Sequence, residues 1–371
     1  MGTTDLKETG SARENNFNIV RLVAALLVMI GHMGAILGIP AMTLGGLELH
    51  TIGVYMLFLI GGYLVTNSWL RDPHPGRYFI RRFSRFYPPF CVMVLVMTFG
   101  AGPLLSSLGV PAYFASWYKS YLWNLRFFPV FALPGVFEGI PYPGVVNGSL
   151  WTMPVEAALY LLLPLALTAL RAGKRDHRGF VLSAALTGGI CVLELATRLI
   201  WPAGSLVWYG TDWLFSLRLL VYYAIGMLYT WPQMRRLLNG QVACALMAGY
   251  CLVQKAAPVW NDAAAWIAIP YAVMTLALAP RPKFARIGSR FELSYGIYLY
   301  GFFFQQLVVQ FREAGGKSWG FYTCLGISLV LTLIAAFLSC ILVEKPCLAL
   351  GRRLISRWKA AGAEKTGRTG E

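Results

Sequence analysis

Ten apolar stretches, joined by connections that alternate between rich and poor in positive charge, constrain this chain more than any other feature. They run over 17–38, 50–70, 86–106, 148–170, 179–201, 213–231, 240–254, 262–280, 292–311 and 319–343. Most reach the roughly 20 apolar residues a helix needs to cross a bilayer. One set of connections, with the tail after Val343, holds 22 Lys and Arg; the other set holds five, namely Lys119, Arg126, Lys255, Arg312 and Lys317. Positive residues concentrate on the cytoplasmic side of membrane proteins. The pattern predicts an all-α, polytopic protein of the cytoplasmic (inner) membrane, with about ten transmembrane helices and both termini in the cytoplasm.

Composition agrees. The chain is 57% hydrophobic and 13% charged, whereas a soluble domain carries about 25% charge. The net charge of +16 is explained by topology and by attraction to anionic lipid, so no nucleic-acid partner is expected. Seven cysteines (Cys91, Cys191, Cys244, Cys251, Cys324, Cys340 and Cys347) form no C-x-x-C pair, and neither a metal site nor a disulfide framework is expected. The first sixteen residues show no cleavable-signal pattern, so the first span is expected to be retained. The reading is one membrane domain over 1–346 and a basic cytoplasmic tail over 347–371, disordered at its end. The outer connection 107–147 is long and aromatic; a loop of that length in a compact domain is usually functional, although an interfacial aromatic belt is the plainer reading.

Two expensive residues share the first span. Arg21 and His32 are eleven residues apart, about three helical turns, so they point the same way with about 16 Å between them along the axis. Ionisable groups persist at bilayer depth mainly where they line a polar cavity. In the third span Arg82 and Arg85 are three apart and share a helix face. Guanidinium forks match phosphate oxygens, while Arg71 and Arg77 read as anchoring charge. Glu156, in the run Ser149-Leu-Trp151-Thr-Met-Pro-Val-Glu156-Ala-Ala-Leu-Tyr160, sits about two turns below the outer surface, at the depth of His32. A membrane carboxylate needs a partner, and His32 is a candidate; a structural ion pair with another helix is the alternative. Glu194 and Arg198, four apart, read as a structural pair. Tyr298, Gln305 and Gln306 in the ninth span are polar at depth, lining a cavity or bonding between helices.

These blocks, in this order, resemble the acyltransferase 3 family of integral membrane O-acyltransferases. The resemblance rests on Arg21 and His32, on Gly61-Gly62-Tyr63 after an apolar run, on Arg82 and Arg85 before Pro88, on Ser149 to Tyr160, on Leu293-Ser294-Tyr295-Gly296-Ile297-Tyr298-Leu299-Tyr300, and on Glu344-Lys-Pro346. Gly301 stands where many members have His, and Gly61 where many have Ser. The resemblance implies transfer of an acyl group, most often acetyl from acetyl-CoA, to a hydroxyl of a cell-surface or exported glycan or of another small acceptor, without a metal. The mechanism that fits these residues makes His32 and Glu156 catalytic, His32 as general base or acyl carrier and Glu156 orienting the imidazole. Arg21, Arg82 and Arg85 are assigned to the acyl-CoA phosphates, and Ser149, Trp151 and Tyr298 to the acceptor side. A proton-coupled transporter or flippase of a glycan or small molecule also fits ten spans with buried His, Arg and Glu, as does a glycan polymerase. The acyl length, the acceptor and any homo-oligomer stay open.

Overall fold

The computed structural model describes residues 15–169, 176–257, 260–279, 284, 286–288 and 290–367, with side chains to 360. It is helical nearly throughout. Helix α1 is Phe17–Leu37, α2 Leu49–Arg71 and α3 Pro75–Val96; a π-turn at Met97–Ala101 leads from α3 into the short α4 (Gly102–Leu105). A further short helix, α5 (Val110–Ala115), opens the long outer connection. Then come α6 (Thr152–Ala169), α7 (His177–Ile200), α8 (Trp213–Leu228), the short α9 (Pro232–Arg236), α10 (Gly240–Ala256) and α11 (Asn261–Ala277). The last three are α12 (Ser294–Ala314), α13 (Phe321–Ser339) and α14 (Lys345–Gly367), the latter two joined by a π-turn at Cys340–Glu344. Among the described residues the sheet content is two two-stranded hairpins, β1–β2 (Thr43–Leu44, Leu47–Glu48) and β3–β4 (Val207–Trp208, Thr211–Asp212).

A helix covers each of the ten apolar stretches. Among the described residues, six helical stretches are long and apolar enough, by length and composition, to cross a membrane: 17–37, 49–71, 75–105, 148–169, 177–200 and 321–360. The third starts eleven residues ahead of its apolar run. Pro75 occupies the first turn, where a missing N–H costs nothing, and His74 caps it by accepting from the Arg77 N–H. The arginines thus lie on the helix and not in a loop before it. The tail begins as helix α14; its end lies outside the described residues, as do Arg171, Lys174, Arg175, Arg281 and Lys283.

Lipid supplies no hydrophobic force between spanning helices, so close packing depends on small residues. Gly53 lets α2 meet the backbone of α1 at Ala24, and a Cβ there would strike that carbonyl. Gly62 and Gly226 do the same where α2 crosses α8, against the carbonyls of Tyr223 and Leu59. The row α13–α12–α1–α2–α8–α7 follows from these contacts, with α3 and α6 against its face. Gln305 donates to the Met29 carbonyl at 2.6 Å, and Gln306 to those of Tyr142 and Val145 at 2.9 and 2.7 Å. These two glutamines bond between segments.

The ends of the helices gather into two faces. Asn16 ties the start of α1 to the end of α11 through Leu276 O at 2.9 Å. The α2–α3 turn is closed by Asp72, which takes Arg77 and Arg81, the latter at 2.7 Å. At the opposite face the β1–β2 turn is held by Tyr250 and Asn261, which bond the carbonyls of Leu44 and Gly45 at 3.2 and 2.9 Å. The 107–147 connection is a packed cap: Tyr113, Tyr121 and Phe137 are buried, while Trp117 and Trp123 are exposed. The Tyr113 hydroxyl donates to the Thr98 carbonyl at 2.7 Å, within the π-turn that ends α3.

Candidate functional site

Three arginines converge where α1, α3 and the start of α12 meet. Arg21 of α1 and Arg85 of α3 both pair with Glu292, which precedes α12; Arg85 Nη2 lies 2.6 Å from Glu292 Oε2. Arg82 shares the helix face of Arg85 and reaches Ser68 Oγ at 3.5 Å. Its Nε is buried and has no hydrogen-bond partner among the described residues. One helical step away, Arg81 joins Arg77 on Asp72 instead. Their partners thus divide one basic run into a turn clamp and a pair aimed inward. The Asp72 carboxyl is held well below the ordinary carboxylate range, chiefly by its hydrogen bond from Arg77 and then by Arg81.

The inward pair and Arg21 line a cavity of about 120 Å³. Around it also stand Glu156, Tyr160, Glu292, Ser294, Tyr295 and Tyr298, with Val54, Phe58 and Phe86 as apolar wall. Three guanidiniums against two carboxylates leave it net positive even with both acids ionised. A half-buried cluster with net positive charge and an orphaned donor suits a multiply charged anion.

Glu156 and Tyr160, one turn apart on α6, both enter the cavity, and the Tyr160 hydroxyl donates to Glu156. The carboxylate thus faces Tyr160 and the arginines, where an imidazole partner was a candidate. At the far end the Tyr298 hydroxyl lies 2.6 Å from Thr152 Oγ1 and 3.3 Å from the Ser149 carbonyl. Asn147 straps this turn to α12, donating to Leu299 O at 2.8 Å and accepting from Ser149 N at 3.0 Å. Of the three residues assigned to the acceptor side, Tyr298 lines the cavity, Ser149 contributes its carbonyl behind it, and Trp151 turns to Phe215 of α8, ring centroids 5.2 Å apart.

His32 lies beyond that end. Its ring packs against His50 and, edge-on, against Phe302, with both centroids at 5.1 Å. Phe302 is one turn past Tyr298 on α12, so about 6 Å of helix rise separates the cavity's end from the imidazole's wall. Glu194, expected to pair with Arg198, does so, and Arg198 and Arg218 extend the contact to Asp262 and α8. This cluster joins α7, α8 and α11 as structural glue.

The family model described as Acyltransferase domain, that of the acyltransferase 3 family, matches residues 14–343. The chain belongs to that family, and it is an acyltransferase. It is 28% identical over 94% of its length to Nodulation protein 10 of Rhizobium leguminosarum bv. viciae, covering 97% of that protein. It is 25% identical over 90% of its length to the O-acetyl transferase of Shigella phage Sf6, covering 96% of it. Over 43% of its length it is 28% identical to peptidoglycan O-acetyltransferase OatA of Listeria monocytogenes, covering 27% of that larger protein. No solved structure matches. Of the family blocks noted above, Arg21, Gly61, Arg82, Arg85, Glu156, Ser294, Tyr295 and Tyr298 line the cavity, His32 packs on Phe302 beyond it, and Glu344 ends the π-turn between α13 and α14.

Sequence reasoning missed Glu292 as the hub of the arginines and Tyr160 as the partner of Glu156. The second had a signal, a spacing of four on one helix. The first had none, since Glu292 lies 271 positions from Arg21.

Proposed function

We propose that this protein is a ten-span inner-membrane O-acyltransferase, both termini cytoplasmic, that moves acetyl from cytoplasmic acetyl-CoA to a hydroxyl of a cell-surface or exported glycan. The observation that carries the reading is the meeting of Arg21, Arg82 and Arg85 from two helices in one positive cavity that runs toward Tyr298. Coenzyme A brings a diphosphate, a 3′-phosphate and a flexible arm. Arg82 and Arg85 hold phosphate oxygens, and the arm points along α1, whose Arg21-to-His32 rise of about 16 Å is of the arm's length. Relatives named as O-acetyltransferases support acetyl as the group and a glycan as the acceptor.

For the acyl carbon to meet His32, the Tyr298–Thr152 contact opens. His32 takes the proton of the acceptor hydroxyl as its oxygen bonds to the acyl carbon and the carbon–sulfur bond breaks. Alternatively the imidazole attacks the acyl carbon, breaking the carbon–sulfur bond to leave a transient acyl-histidine, and the acceptor oxygen then displaces the imidazole as its proton passes to the thiolate. On the first route the departing thiolate recovers the proton that His32 took, which restores the imidazole, while Glu156, bonded by Tyr160, lines the donor cavity behind the thioester. Ser149, Trp151 and Tyr298 shape the passage on the acceptor side. The test is transfer from labelled acetyl-CoA by purified protein in nanodiscs. His32→Ala abolishes transfer while retaining coenzyme A binding; transfer near the wild-type rate removes the mechanism.

A further inference from the structure

The mechanism places Glu156 at the donor end, so the carboxylate expected to orient His32 is elsewhere. The structure supplies a different neighbour. His50, on the first turn of α2, lays its ring against His32 with centroids 5.1 Å apart and planes tilted by 30°. Phe302 meets the His32 ring edge-on at 77°. Gly31, next to His32, is what admits His50 so closely: a Cβ there would strike the backbone nitrogen and the Cβ of His50. His50 Nε2 lies 3.1 Å from Glu48 Oε2 on strand β2. Glu48 is half exposed, its side chain 47% accessible against 26% for His50. The inner nitrogen of His50, Nδ1, is buried and has no hydrogen-bond partner among the described residues. From solvent inward the order is Glu48, His50, His32.

The geometry points to His50, seated on Glu48, as a positioning residue for His32; this deepens the acyltransferase reading and rests on the role of His32 within it. Two effects follow from the placement. In contact with both His50 and Phe302, the His32 ring is held in its orientation, which a base or a nucleophile requires. The second effect is electrostatic. A proton on His50 is favoured by the carboxylate of Glu48, and a charge on His50 opposes a second charge on a ring 5.1 Å away. When His50 carries a proton the pair resists a second one, so the inner ring stays the acceptor. The groups facing His32 are His50 from α2 and the uncharged Phe302 from α12; the charge facing His50 is Glu48.

The experiment has one readout that needs no catalysis. The chain has four histidines, so imidazole nitrogen NMR of labelled full-length protein in nanodiscs can follow each of them against pH. In His50→Gln and His50→Phe the His32 midpoint moves to higher pH by about half a unit or more, while His74 and His177 do not move. An unmoved His32 in both variants overturns the proposal. In the transfer assay His50→Phe, which preserves the ring packing, lowers kcat about tenfold or more at neutral pH with the KM for acetyl-CoA unchanged, and moves the acid limb of kcat to higher pH. His50→Phe with wild-type kcat and pH profile also overturns it. Should the wild-type chain transfer no acyl group, the functional reading falls, and the NMR midpoints alone decide whether His50 governs His32.

Discussion

Replacing Glu292 by Gln separates the stability of the arginine cavity from its affinity. The carboxylate accepts Arg21 and Arg85 together, and the three side chains are 21%, 18% and 31% exposed. Breaking a buried ion pair by removing one partner costs about 3–5 kcal/mol, because the other charge is left uncompensated. Partial exposure returns some of this, so a loss of about 2–3 kcal/mol remains for Glu292→Gln. The assay is a thermal melt of detergent-solubilised protein, with and without coenzyme A. Without ligand the variant melts several degrees below wild type. If the freed guanidiniums are a phosphate site, coenzyme A replaces the missing anion: at a hundred times its dissociation constant it restores about 2.7 kcal/mol. The ligand-induced rise in melting temperature is therefore no smaller in the variant than in wild type, and coenzyme A binds the variant at least as tightly. Two results refute the reasoning: a variant that melts with wild type, or one that has lost coenzyme A binding. The second would make Glu292 itself the ligand-holding group.

Arg82→Ala combined with Arg85→Ala weakens coenzyme A binding at least tenfold by calorimetry, about 1.4 kcal/mol or more, with little change in the acceptor. Tyr160→Phe removes the hydrogen bond to Glu156 and lowers kcat more than it raises the KM for acetyl-CoA, as measured by initial rates. Gly226→Val drives a side chain into the Leu59 carbonyl of α2 and abolishes a monodisperse peak on size-exclusion chromatography. Asp72→Asn loosens the α2–α3 turn, where the native carboxyl titrates below its unfolded value. Its stabilisation is fully present above that unfolded value and is lost as pH falls through the folded one. Wild type thus out-melts the variant by a constant margin from about pH 8 to 5, and the margin shrinks below about pH 4.

What could be read from the sequence was what depends on short range. Apolar length marked the ten stretches that helices cover, and a spacing of three put Arg82 and Arg85 on one face, whereas the spacing of four that set Arg81 beside Arg85 gave no sign that Arg81 turns to Asp72. The i,i+4 pair Glu194–Arg198 was equally visible. The partners across space were not. Glu292 reaches Arg21 and Arg85 because α12 packs beside α1 and α3, an arrangement set by glycines and interhelical hydrogen bonds that carry no pairing code. Glu156 was matched to His32 by depth alone. Depth along the bilayer normal fixes one coordinate of three, and rotation about α6 turned the carboxylate to Tyr160 and the arginines. His50 went unremarked because it sits on the first turn of α2, where a histidine reads as an interfacial residue. Its closeness to His32 depends on Gly31.

The most direct measurement is a cryo-EM structure of the full chain in nanodiscs with a non-hydrolysable acetyl-CoA analogue. The account predicts phosphate density on Arg82 and Arg85, the arm passing Arg21 and an opened Tyr298–Thr152 contact, and the acetyl carbon beside the ring of His32. Phosphates bound away from these arginines, or an acetyl group stopped short of Tyr298, would contradict it.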